Sequence, residues 1–177
     1  VNGDSLTGAL SRAAGENAGN YAINRGSLSA SSNYALTFVG TDYSIAKRAG
    51  TLSLTGTVEK QYDGTNRASL GAGHFALSNV AAGDSGLLSV ANLPISGTYN
   101  NANAGSGKTV SFNLGSGGLT GSAAGNYTLV VNNSRNVGNI TKAALTITAN
   151  DQSKTYGDAL ALGSTGYSVG GTLYGTD

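Results

Sequence analysis

The stretch from Ala102 to Thr109 reads A-N-A-G-S-G-K-T, one residue away from the phosphate-binding pattern G-x-x-x-x-G-K-[ST]. That pattern works when a loop between a buried strand and a helix turns its backbone N–H groups onto phosphates. Here Ala102 holds the place of the first glycine. The residues after Lys108 alternate as a strand does, and no apolar strand ending in Asp supplies a metal partner. A glycine-rich strand entry is expected, without nucleotide binding.

His74 is the only histidine. A general base or a metal ligand wants partners, and no motif supplies them. His74 is therefore read as a loop or strand residue. Most of the nine carboxylates sit beside Gly or Asn, where an Asp bonds its own backbone in a turn. Asp63, Asp84 and Asp158 are read that way. There is no calcium loop of the D-x-D-x-D-G kind, and no pair of acids is marked out for glycoside hydrolysis. Without cysteine there is no thiol nucleophile, no Cys-based zinc site and no disulfide scaffold. No catalytic residue, cofactor or metal ligand is expected, and the chain reads as a non-enzyme. Three sequons, at Asn126, Asn132 and Asn139, are of the number that chance gives in a chain so rich in Asn, Ser and Thr.

The elements that hold these residues are strands and turns. Tyr34 to Phe38, Thr51 to Thr55, Thr109 to Leu114, Asn126 to Val131 and Ala144 to Thr148 alternate with period two, the mark of a half-buried strand. Asn2-Gly3-Asp4, Asp63-Gly64, Gly83-Asp84, Gly115 to Gly118 and Gly157-Asp158 supply turn chemistry between runs. Leu6 to Arg12 and Phe75 to Ala82 are the candidates for a short helical turn. The expected fold is all-β, in tandem elongated modules that are sandwich-like or β-grasp-like. Charged residues at 11% and a net charge of +1 leave no footprint for nucleic acid. No run approaches the length of a membrane-spanning helix. Hydrophobic residues at 39% argue against a disordered chain.

The chain repeats itself. Asn33-Tyr34-Ala35-Leu36 matches Asn126-Tyr127-Thr128-Leu129, and Ile45-Ala46-Lys47 matches Ile140-Thr141-Lys142. Leu52-Ser53-Leu54 matches Leu145-Thr146-Ile147. Lys60 to Gly64 matches Lys154 to Asp158, with Asp and Gly exchanged. The spacing is roughly 93 to 95 residues, about one domain. Looser matches join Gly3-Asp4-Ser5 to Gly83-Asp84-Ser85, and Asn17-Ala18-Gly19 to Asn103-Ala104-Gly105. The map that follows has half a module in 1–47, a whole one in 48–142 and the opening half of the next in 143–177. Val1 reads as an internal cut. Modules joined without linkers are expected to form a stiff, extended array. The complementary halves invite head-to-tail exchange between molecules.

Tyr62-Asp63-Gly64 and Tyr156-Gly157-Asp158 recur at one place in the repeat, which makes them structural motif residues. A tyrosine beside a turn buries its ring and ties its hydroxyl to backbone. Paired tyrosines that stack on sugars are the alternative. Phe75 and Tyr99 are the best non-recurrent aromatic candidates for a binding cluster, and Tyr167, aligned near Phe75, weakens the first.

These residues carry a family resemblance. Val58 to Thr65 and Gly105 to Val110 resemble the YDG domain of large bacterial adhesins. Lys154 to Asp158, Ala14 to Ile23 and Gly26 to Phe38 resemble the related MBG domain. The resemblance implies a secreted or surface-exposed protein of a Gram-negative bacterium, filamentous-haemagglutinin-like and exported by two-partner secretion. It implies a stalk or spacer that supports adhesion or biofilm, with neighbouring modules as partners. The alternative is a module that binds exopolysaccharide or a host or matrix protein.

Overall fold

The computed structural model describes residues 5–175. Among them are fifteen strands, three single turns of 3-10 helix and no α-helix. In chain order the strands are β1 (Ser11–Arg12), β2 (Gly19–Asn24), β3 (Thr41–Ile45), β4 (Arg48–Leu54) and β5 (Val58–Gln61). Then come β6 (Arg67–Ser69), β7 (Phe75–Ser78), β8 (Ser89–Ala91), β9 (Ser96–Tyr99) and β10 (Gly105–Ser111). The last are β11 (Gly118–Thr120), β12 (Tyr127–Asn132), β13 (Ser134–Thr141), β14 (Thr146–Ala149) and β15 (Tyr167–Gly170). They pair into five sheets, ordered β1-β2-β3, β5-β13-β10-β9-β6, β11-β8, β12-β4-β7 and β14-β15. The protein is all-β.

The chain divides into two compact units. The first comprises residues 5–52, 77–92 and 116–131. Its buried side chains are Leu52, Ala123 and Tyr127. Tyr127 opens β12 on the 3-10 turn Ala124–Asn126, and its hydroxyl donates to Asp84 Oδ2 at 2.7 Å while accepting from the Ala81 amide. Asn79 sits in the left-handed region (φ 59°), where its side chain reaches the Ala49 carbonyl and receives the Arg48 guanidinium.

The second unit comprises residues 53–76, 93–115 and 132–175. Its core is Leu54, Val58, Ala68, Leu70, Tyr99, Val110, Phe112 and Ile140. Phe112 meets Phe75 edge to face at 5.1 Å. The five-stranded sheet is antiparallel except at one edge. There β5, its opening strand, lies parallel to β13, its closing strand, with Val58 opposite Gly138 and Lys60 opposite Ile140. A parallel pair needs a long connection, and here it is the whole body of the module.

The repeat is visible in the register. Gly105 of β10 faces Ile140 of β13, and Gly19 of β2 faces Ile45 of β3. Both glycines hold a positive φ, 157° and 158°, that other residues rarely adopt. One strand further, Val110 faces Tyr99 as Asn24 faces Ser11. The sheet β1-β2-β3 thus repeats β9-β10-β13, so the short Asn17-Ala18-Gly19 match carries the structural correspondence.

Three local expectations are corrected. Tyr34 to Phe38 alternates but joins no ladder: β2 already has β1 on one side and β3 on the other. Phe75 to Ala82 holds no helical turn over its apolar part, because Phe75 and Leu77 alternate into β7; the 3-10 turn is Ala82–Asp84. Leu6 to Arg12 is not helical either. Thr7 bridges Ser29, and Gly8 lies at φ 85°, outside helical space. Gly3 and Asp4, and with them the turn and repeat match placed there, lie outside the described residues.

Candidate functional site

The recurrent motif residues of the whole module form a closed polar knot. Lys60 lies on β5 and Asp63 in the turn that follows. Asp63 Oδ1 accepts from Lys60 Nζ at 2.6 Å, from the Thr65 amide at 2.9 Å and from the Thr65 hydroxyl at 2.8 Å. An Asp bonding the amide two residues on is an Asx turn. Gly64 completes it at φ 73°, the left-handed region that glycine enters without a Cβ clash. Lys60 Nζ also donates to the Thr65 carbonyl at 2.7 Å. The Lys60 ammonium and the Thr65 amide hold the Asp63 carboxyl at about 2, below the ordinary 3.8.

Beneath the turn lies Tyr99. Its ring is 2% exposed and its hydroxyl donates to the Val58 carbonyl at 2.9 Å. Lys60 Nζ stands 5.8 Å from the ring centroid. Burial raises the Tyr99 pKa, and the charges of Glu59 and Asp63 add to the rise. Gly138 on β13 leaves room for this ring: a Cβ there would lie 2.7 Å from it. On the opposite face of the β5–β13 pair, Asn139 donates to Glu59 Oε1 at 2.6 Å. Tyr99 is therefore a core residue, which corrects its reading as a surface binding candidate. Phe75 is half-buried against Phe112 and does not join Tyr99 in an exposed cluster.

The second copy of the motif is looser. Lys154 Nζ donates to the Asp158 carbonyl at 3.1 Å, and the Asp158 amide to the Thr155 carbonyl. Gly157 has φ 88°. The Tyr156 ring is fully exposed, which corrects the expectation of a buried one. The physical difference is the neighbour. The Tyr62 amide donates to the Thr141 carbonyl of the closing strand, whereas residues 151–155 join no ladder.

The glycine-rich segment is β10, with bulges on either side of Lys108 and Gly107 at φ 65°. Lys108 itself is buried, and its ammonium donates to Asn101 Oδ1. A lysine turned inward onto an amide is in no position to meet a phosphate. Sequence reasoning did not find that burial; the only signal was the place of Lys108 at an inward step of the strand. His74 Nδ1 accepts from the Gly71 amide at 2.9 Å and so closes the 3-10 turn before β7. Among the described residues no cluster of His, Asp and Glu suits a metal ion. Tyr62 also meets Tyr174 edge to face at 5.8 Å. With Asn103, Lys142, Leu145 and Leu173 these two rings line an open cleft of ≈ 300 Å³.

Sheets that repeat in register, with the Lys60–Asp63 turn closing the opening strand of the whole module, define an all-β protein of repeated modules. The YDG domain model matches residues 45–137, and the chain belongs to that family. The MBG domain (YGX type) model matches residues 1–53. No curated protein and no solved structure matches the chain.

Proposed function

We propose that the chain is a non-catalytic structural spacer from the stalk of a secreted or surface-anchored adhesin of a Gram-negative bacterium, exported by two-partner secretion. In this reading the modules set a distal binding region away from the cell and support adhesion or biofilm. The observation that carries it is the repeated register, Gly19 opposite Ile45 and Gly105 opposite Ile140, joined by short links. Only Ala46 and Lys47 separate β3 from β4. Motif side chains that close turns and fill cores suit load-bearing rather than turnover. The lack of cysteine and the small, weakly charged side chains suit passage through a secretion channel unfolded.

A second reading rests on the cleft of Tyr62 and Tyr174. Two half-buried rings with Asn103 and Lys142 suit a saccharide bearing an acidic group, or a peptide of that charge. A glycan array separates the two. The spacer role predicts no specific signal at micromolar protein, whereas binding that is lost on Tyr174→Ala favours the second reading.

A further inference from the structure

The opening and closing strands of the five-stranded sheet lie side by side. Val58 to Gln61 of β5 run parallel to Gly138 to Thr141 of β13. The other three strands, β10, β9 and β6, lie beyond β13. A tension along the chain reaches β5 at Thr57 and leaves β13 at Lys142. In a parallel pair these are opposite ends, so the pull slides one strand along the other. The bonds of a parallel ladder are evenly spaced, and sliding loads all of them together. Strands drawn apart from one end would instead lose their bonds one at a time.

We infer that the β5–β13 pair is a shear clamp, which bears the load of a stretched chain and keeps it off residues 62–133 until the pair parts. The contacts around the pair suit that role. The Tyr62 amide extends the ladder to the Thr141 carbonyl at 2.8 Å. On the outer face, Asn139 Nδ2 donates to Glu59 Oε1 at 2.6 Å and ties the two strands through their side chains. On the inner face, Tyr99 of β9 reaches under β13. Its ring fills the space that Gly138 leaves, and its hydroxyl holds the Val58 carbonyl at 2.9 Å. β5 is thus anchored to β9 as well as to β13. The far end of β5 carries a stop. Lys60 Nζ bonds Asp63 Oδ1 and the Thr65 carbonyl, so a strand dragged toward Thr57 must draw this closed turn after it. The inference goes beyond the spacer reading by naming the element that resists. Its use rests on that reading, but its geometry does not.

The chain has no cysteine, so paired cysteines fix the points of pull in the full chain. Thr57→Cys with Lys142→Cys loads the pair in shear. Gln61→Cys with Lys142→Cys loads it from one end, because Gln61 faces Thr141. All three positions are exposed, and both double variants are expected to melt where the native chain does. Forced unfolding reads the barrier along the direction of pull rather than equilibrium stability. In an optical trap at one loading rate, the 57–142 pull is expected to give a single high-force step. The 61–142 pull is expected to open the module at a severalfold lower force. Forces that are equal in the two directions, or larger for the 61–142 pull, would overturn the clamp and leave the spacer reading standing. The absence of a resisted step in either direction would overturn both.

Discussion

The Tyr99 hydroxyl donates to the Val58 carbonyl over 2.9 Å, and neither residue exposes more than 2% of its surface. This bond ties β9 to the opening strand beneath the Lys60–Asp63 turn. Tyr99→Phe keeps the ring and loses the bond, so it should cost about 0.5–1.5 kcal/mol. Gly138→Ala should cost more, about 1–3 kcal/mol, because its Cβ meets the ring at 2.7 Å and the Lys108 carbonyl at 2.9 Å. Urea unfolding of the two variants checks both values. Tyr99 ionises less readily folded than unfolded, since its folded pKa lies above 10.0. Stability should fall as pH rises past about 10, and Tyr99→Phe should shed that part of the loss.

Asp63 has the opposite sign. Its folded pKa is about 2 against 3.8, so its contribution is present above about 4 and is lost as pH falls toward 2. The side chain is 46% exposed, and solvent screening keeps the contribution below about 1 kcal/mol. Asp63→Asn should be less stable than the native chain at pH 6 and should converge with it near pH 2. Unfolding midpoints across that range are the measurement.

Lys108 separates a strand lysine from a phosphate-binding one. Millimolar ATP with magnesium should leave the melting temperature unchanged. Asn101→Leu removes the acceptor of a buried ammonium and should cost about 1–3 kcal/mol. Lys108→Met replaces both the charge and the need for that acceptor, and should cost less than Asn101→Leu. Calorimetry reads all three.

Core and flank should respond differently. Leu54→Ala, at a fully buried position, should cost about 2–5 kcal/mol. Leu162→Ser, at a residue 59% exposed, should stay within about 0.5 kcal/mol. Denaturant titration of the two side by side tests the assigned core.

Alternation in the sequence located Leu52, Leu54, Val110 and Phe112, all of which are buried, and the repeat located the turn of Asp63. Alternation says that a segment can line a sheet. It does not say whether a partner strand stands beside it, which is why Tyr34 to Phe38 reads as a strand and forms none. Register is non-local, so the three-residue match at Gly19 and Gly105 outweighed the longer one at Tyr34 only once the ladders were known. The burial of Tyr99 and Lys108 depends on Gly138 and Asn101, far apart in the chain or outside any strand pattern. No periodicity marks such partners.

The central claim, a load-bearing module, is tested most directly by pulling single molecules of a tandem array of the whole module, 48–142, which keeps the β5–β13 pair. Each module spans about 30 nm when fully extended. The account predicts equal unfolding steps of about that length, one per module, without any ligand. Featureless extension with no resisted step would contradict it.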